Sequence, residues 1–164
     1  MNQDRRQALI QQYREGPGVV VAALTGATDA ELDAGPADGG WTARETAHHI
    51  ADSELTSAIR LRRLIAEEHP AILGYDGNVF ASRLYYSRRP VSAALDAIRA
   101  ARAVTGEILD LLTEEEWVRT GTHDELPAYS VEIWLEIYAE HCHEHAAQIA
   151  AALTEARAAL PVGG

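Results

Sequence analysis

The chain has 164 residues, with 25 acidic and 14 basic side chains and a formal net charge of −11. This length suits one domain with a core of its own, and we expect a single domain over residues 1–160 and a flexible tail over 161–164. The negative charge argues against nucleic acid or an anionic membrane surface as a partner. The longest apolar run, Val19 to Leu24, is too short to cross a bilayer.

The single cysteine, Cys142, cannot form a disulfide within the chain. No positively charged, apolar leader opens the sequence, so we expect a cytoplasmic protein.

The first predicted helix runs from about Asp4 to Leu24. Gly16, Pro17 and Gly18 lie inside it. Because proline lacks the N–H that a helix interior needs, we expect the helix to break or restart at this point.

The second predicted helix begins after Thr42, which forms a capping-box pattern with Glu45 three residues later. It should continue to about Glu67. His69-Pro70 and the glycines that follow predict a long connection before the next helix.

The sequence predicts two further long helices, the third and the fourth. The third starts near Ser92, and its buried stripe should consist of apolar residues at helical spacing: Ala94, Leu95, Ile98, Ala101, Val104, Ile108, Leu111 and Leu112. Ser130 can cap the fourth, which should reach about Leu160. The expected fold class is all-α, a four-helix bundle with a long connection between helices 2 and 3.

The fourth helix carries two histidines, His141 and His145, spaced so that both side chains leave the same helix face. That face also carries apolar residues and should point into the bundle. Two buried imidazoles can share a metal ion, or each can bond to a polar neighbour in the core. This spacing alone leaves both interpretations open.

Two zinc-protease patterns are relevant to this segment. The HExxH pattern fails because Cys142 stands in place of the glutamate. The inverted HxxEH pattern is met by His141, Glu144 and His145, but it requires a further acidic ligand, and Glu155 lies about 15 Å further along the same helix. We therefore do not expect a protease.

The second helix offers His48 and His49 as a further ligand. Adjacent helical residues point about 100° apart, so at most one of the two can face the same ion. Periodicity does not choose between them.

The segment Gly39 to Ser53 resembles the second-helix signature of the DinB/YfiT-like superfamily, in which a tryptophan precedes a ligand histidine by eight residues. Counting from Trp41 gives His49. The resemblance is closest to the YfiT branch and continues through Tyr75-Asp76, Leu112 to Trp117, Tyr138 to His141 and Gln148-Ile149. It implies a divalent metal ion, zinc or nickel, bound by His49, His141 and His145, with His48 as the alternative.

The resemblance also bears on function. Members of this superfamily include transferases and isomerases that use low-molecular-weight thiols such as bacillithiol, mycothiol or glutathione. It therefore implies S-transfer, in which a thiol activated by the metal attacks a small electrophile. Hydrolysis by metal-activated water is the alternative, and a non-catalytic metal-binding stress or interaction module is a third interpretation. Relatives of this kind are often homodimers, so a homodimer is expected. Glu54 and Glu144 depart from the family pattern, in which histidines tend to occupy both positions.

The other candidate residues are less specific. Asp52, one turn from His49, could orient an imidazole, or it could be an exposed carboxylate. Tyr75 and Arg60 are candidates for substrate binding. Cys142 points about 100° away from its neighbour His141, so we expect a small buried side chain rather than a fourth ligand.

Overall fold

The computed structural model describes residues 1–126 and 128–159. The predicted helix end at Leu160 and the predicted tail lie outside these residues. The described part of the chain contains seven α-helices and three short strands, in the order α1 (Gln3–Leu24), α2 (Asp29–Asp33), α3 (Ala43–Ala66), β1 (Ala71–Ile72), α4 (Gly77–Arg83), α5 (Val91–Leu109), α6 (Glu114–Trp117), β2 (Thr120–His123), β3 (Tyr129–Ser130) and α7 (Val131–Ala159). A 3₁₀ turn, Tyr86–Arg88, precedes α5.

The four long helices α1, α3, α5 and α7 form the bundle. α1 packs mainly against α7 and also against α5, while α3 lies between α5 and α7. The predicted four-helix bundle is confirmed, including the long connection between α3 and α5. None of the helices over 1–126 and 128–159 has the length and apolar character of a membrane span.

The short strands connect two loops. β1 pairs with β2 in parallel, with Ala71 opposite Thr122, and β2 pairs with β3 in antiparallel orientation, with Gly121 opposite Tyr129. Strands of two to four residues are too short to produce an alternating pattern, which explains why the sequence did not predict them.

Helix α1 continues without a break through Pro17, so the predicted interruption is wrong. Pro17 has no N–H to donate to the carbonyl oxygen of Tyr13, four residues earlier. That oxygen instead accepts a hydrogen bond from Nη1 of Arg102 on α5. Gly16 makes room for this contact, since a Cβ atom there would overlap the guanidinium group and lie 2.8 Å from Cβ of Cys142.

The interior has two apolar clusters with a polar layer between them. One cluster surrounds Trp134 and the other surrounds Ile50. Between them Arg102 and Glu54 form a buried ion pair, with Nη2 2.7 Å from Oε1.

The buried face of α5 differs from the stripe that the sequence predicted. Val104 and Leu111 were expected to be buried, yet they are 48% and 81% exposed. Arg102, Thr105 and Leu109 are buried in their place. From this inward face Arg102 reaches hydrogen-bond partners on the other three long helices.

The caps of the helices that carry the histidines agree with the sequence. Thr42 and Glu45 form the predicted capping box at the start of α3. At the start of α7, Oγ of Ser130 accepts a hydrogen bond from the backbone N–H of Ile133. Both helices therefore begin at defined positions.

Candidate metal centre

Three histidines converge between α3 and α7. His49 comes from α3, and His141 and His145 come from successive turns of α7. One nitrogen from each ring lies within 4.8 Å of the other two. The ring centroids of His141 and His145 are 4.6 Å apart, and that of His49 is 5.5 Å from the first and 4.8 Å from the second.

The protonation of these rings suits metal binding. Burial, together with the neighbouring His145 and His141, lowers the pKa of His49 to about 3. Burial and His141 also lower the pKa of His145. The imidazoles of His49 and His145 are therefore neutral at pH 7, and each has a nitrogen lone pair available.

In two of the three histidines, Nδ1 of the ring lies near a polar side-chain atom. Nδ1 of His145 lies 2.8 Å from Oε1 of Gln148. Nδ1 of His141 lies 3.6 Å from Oε1 of Glu54, slightly beyond hydrogen-bond distance. Contacts of this kind leave the opposite nitrogen, Nε2, to face an ion.

Trp41 covers one side of His49, with ring centroids 4.6 Å apart. Its indole Nε1 donates a hydrogen bond to Oδ1 of Asn78 at the start of α4. Gly77 also lies against the indole, since a Cβ there would come within 2.9 Å of it. The tryptophan therefore holds α4 beside the site.

The donor set of this cluster suits a divalent metal ion. The three nitrogens are of the type that zinc and nickel accept. Nδ1 of His49 is buried and has no hydrogen-bond partner within the described part of the chain. A buried imidazole without a polar partner is costly, and coordination of one of its ring nitrogens to a metal ion offsets that cost. The residues fit the ion.

Comparison with known proteins agrees with the geometry. The model of the DinB superfamily matches residues 12–149. The chain belongs to the DinB superfamily. A relative in Bacillus subtilis named "Putative metal-dependent hydrolase YfiT" is 31% identical over 150 residues, which are 91% of this chain and 84% of that one. A similarly named protein of Oceanobacillus iheyensis is 32% identical over 85% of this chain and 81% of its own length.

A solved structure supports the fold of this DinB-superfamily protein. The structure of YfiT from Bacillus subtilis, described as having an unusual four-helix bundle topology, superposes with a TM-score of 0.86 at 29% sequence identity. The match covers 96% of this chain and 89% of that one. The predicted resemblance to the YfiT branch is confirmed.

His48 faces a different part of the DinB-like bundle. Its Nε2 lies 3.0 Å from the carbonyl oxygen of Arg89, and its ring packs against Tyr86. Burial lowers its pKa. His48 therefore fastens α3 to the segment before α5, and His49 is the member of the pair that faces His141 and His145.

The carboxylate that lies beside His141 belongs to Glu54. Oδ2 of Asp52 lies 3.9 Å from Nη1 of Arg89, and among the described residues Asp52 makes no hydrogen bond to the three histidines. Glu54, which the sequence analysis names as a departure from the family, faces His141. Its burial beside a charged partner could have been detected from the sequence, because Ile50, Glu54 and Ala58 continue one buried stripe at four-residue spacing, where a charge needs a partner.

The two predicted substrate-binding residues lie beside the site. Arg60 donates a hydrogen bond of 3.1 Å to the hydroxyl of Tyr138 and lies 5.7 Å from the ring centroid of Tyr75. The ring of Tyr138 is 5.7 Å from that of His141. Substrate contact by Arg60 and Tyr75 stays a prediction.

Cys142 and Glu144 flank the ligand positions in sequence without joining the cluster. Cys142 is buried, with Sγ 3.7 Å from Oε1 of Glu54, and burial raises the pKa of its thiol. Glu144 is exposed on the outer side of α7. The candidate metal ligands that lie together are thus the ring nitrogens of three histidines.

Proposed function

We propose that this DinB-superfamily protein is an enzyme that depends on one divalent metal ion, zinc or nickel, held by His49, His141 and His145. The observation that carries the proposal is the convergence of three imidazoles whose side chains are only partly buried. An ion bound by three neutral imidazoles keeps its full charge and lowers the pKa of a thiol or a water molecule that reaches it.

The reaction that we favour is S-transfer. A low-molecular-weight thiol loses its proton to solvent, and its sulfur attacks a small electrophile, forming a carbon–sulfur bond as the leaving group departs. A free thiol has an ordinary pKa near 8.5, which is far below that of bulk water. The thiol therefore needs less activation and no carboxylate base.

The carboxylates around the histidines support this choice. Glu54 is 0% exposed and is paired with Arg102. Asp52 lies toward Arg89. Neither is placed to accept a proton from a substrate between the histidines. The chain's own thiol, on Cys142, is buried and hard to ionise, so the sulfur must come from a cosubstrate.

Arg60 and Tyr75 supply the proposed substrate contacts. Arg60 lies half-buried beside Tyr138, and in the described part of the chain it makes no ion pair with a carboxylate. Its unused donors can bind a polar group of the electrophile or of the thiol, and Tyr75 offers an aromatic face next to it.

Hydrolysis is the second candidate, favoured by the names of the relatives, which describe metal-dependent hydrolases. In that case water takes the place of the thiol at the same three histidines. The residues that would contact the substrate are the same.

One experiment separates the two reactions. Protein reconstituted with zinc or nickel is incubated with 1-chloro-2,4-dinitrobenzene and each of cysteine, glutathione and bacillithiol, and separately with p-nitrophenyl acetate without a thiol. Turnover that needs a thiol and disappears in His145→Ala supports S-transfer, whereas turnover of the ester alone supports hydrolysis. His143→Ala is the matched control. Absence of both activities from fully loaded protein would contradict both enzyme proposals and favour the non-catalytic module.

A further inference from the structure

Glu54 and Arg102 form an ion pair in the centre of the bundle. Glu54 is 0% exposed and Arg102 is 1% exposed. Nη2 of Arg102 lies 2.7 Å from Oε1 of Glu54. The two side chains thus form a salt bridge in a part of the core otherwise formed by apolar clusters.

Such a pair is seldom needed for stability. Removing two charges from water is costly, and apolar residues of similar volume often replace a buried ion pair without loss. The atoms around the pair point to a role other than stability.

On the side of the pair that faces His141, two polar atoms are unsatisfied. Oε2 of Glu54 and Nδ1 of His141 are both buried and have no hydrogen-bond partner among the residues described. Oε1 of Glu54 lies 3.6 Å from that same Nδ1. The unpartnered imidazole nitrogen of His141 thus faces the carboxylate of Glu54, which Arg102 holds, across a gap slightly longer than a hydrogen bond.

The position of the carboxylate is determined by the whole bundle. Arg102 donates to Oε1 of Glu54 on α3 and to the carbonyl oxygens of Tyr13 on α1 and Tyr138 on α7. Its guanidinium also stacks over the ring of Tyr13, at 4.2 Å from the centroid. Arg102 therefore holds Glu54 in register with His141 through contacts to all the other long helices.

We propose that Glu54 is a positioning residue for His141, whose Nδ1–H it accepts so that Nε2 faces the metal, and that Arg102 holds the carboxylate in place. The inference depends on the proposed function, since it requires a metal ion at the three histidines. Carboxylates in this position fix the tautomer and orientation of a ligand histidine in many metal sites. Glu54 itself does not touch the ion or the substrate.

The first test measures zinc affinity by competition with a chromophoric chelator. Glu54→Gln keeps the shape of the side chain but removes its charge, and the amide can donate to Nδ1 and favour the wrong tautomer. We expect affinity to fall about 10- to 100-fold. Glu140→Gln is the matched control, because it removes the same charge next to His141 in sequence from an exposed side chain that binds Gln12. The control should bind zinc like the wild type.

A second variant separates positioning from simple destabilisation. In Glu54→Leu/Arg102→Met both charges are replaced by apolar groups, so no charge is left unpaired in the core and the metal-free protein should unfold at a higher urea concentration than Arg102→Met alone. Zinc affinity should remain as low as in Glu54→Gln. Recovery of wild-type affinity in this stable double variant would overturn the inference.

A spectroscopic measurement reports the tautomer directly. Nitrogen–proton correlation spectra of the zinc-loaded wild type should contain an exchange-protected Nδ1–H signal from His141, and this signal should be lost or shifted in Glu54→Gln. Equal zinc affinity and an unchanged signal in Glu54→Gln would overturn the positioning role while leaving the metal site intact. Failure of the wild type to bind zinc or nickel would overturn the proposed function itself.

Discussion

Gly16 lies directly against Arg102, so close that a Cβ atom at residue 16 would overlap the guanidinium group. Gly18, two residues further along the same helix, has open space around it. The two glycines therefore differ in how they tolerate a side chain, although both lie in α1.

We expect Gly16→Ala to lower the free energy of unfolding by about 1–3 kcal/mol, because Arg102 or the backbone of α1 must move. Gly18→Ala should be neutral or raise it by up to about 1 kcal/mol, since alanine favours an exposed helix position. Urea unfolding followed by circular dichroism measures both. Equal effects of the two substitutions would contradict the close contact.

Replacement of Pro17 tests the carbonyl oxygen that the proline leaves free. Exchanging an interior helical proline for alanine usually stabilises a helix by about 3 kcal/mol. We expect Pro17→Ala to gain well under that amount, because the Tyr13 oxygen already accepts from Arg102. A gain of the full size in urea unfolding would mean that the arginine does not compensate for the missing N–H.

Removal of Arg102 should be costly because it leaves a buried carboxylate without a partner. We expect Arg102→Met to destabilise the metal-free protein by about 3–5 kcal/mol. The control is Arg99→Met on the same helix, whose exposed pair with Asp96 should contribute at most about 1 kcal/mol. Similar losses from the two variants would argue against an ionised Glu54.

Metal content should depend on three of the histidines only. We expect about one zinc or nickel ion per chain in the wild type and its loss in alanine variants of His49, His141 and His145. His143, which lies between two of them but faces the carbonyl oxygen of Gln12, provides the control. Elemental mass spectrometry after removal of loosely bound metal gives the stoichiometry, and loss of metal from His143→Ala would refute this assignment of ligands.

The metal-free protein should lose stability in acid. The pKa of His49 is lowered to about 3, and burial also lowers that of His48, so at intermediate pH the unfolded chain binds protons that the folded chain does not. The part of the free energy of unfolding that these neutral histidines contribute is therefore complete above the ordinary histidine pKa near 6.5, and it declines as the pH falls from there toward 3. Urea midpoints between pH 4.5 and 7.5 measure the slope. His49→Gln should make the change of the urea midpoint with pH smaller. An unchanged slope would mean that protonation of His49 does not cause the loss of stability in acid.

The sequence was most informative where the signal is local. The capping box at Thr42 and the four-residue spacing of His141 and His145 depend only on near neighbours, and both appear in the structure. Periodicity could not choose between His48 and His49, because both lie on faces covered by other parts of the chain. The family resemblance supplied that choice.

The missed features depend on partners far away in the chain. The continuity of α1 depends on Arg102, 85 residues after Pro17, and the inward face of α5 depends on Glu54 of α3. The two-residue strands exist only because two distant loops meet. Local patterns contain no information about such contacts, although a charge within a buried stripe does indicate that a partner exists.

Backbone hydrogen bonds of the small sheet join the loop between α3 and α4 to the loop between α6 and α7. β1 leads directly to Leu73, whose carbonyl oxygen accepts a hydrogen bond from Arg60, and Arg60 also donates to Tyr138 beside the histidines. β2 belongs to the other loop and pairs with β1. Local opening of either loop therefore breaks bonds of the other, and their amide protons should exchange with solvent as one cooperative group. The backbone that Arg60 contacts beside the histidines is thereby joined to a loop more than 40 residues further along the chain.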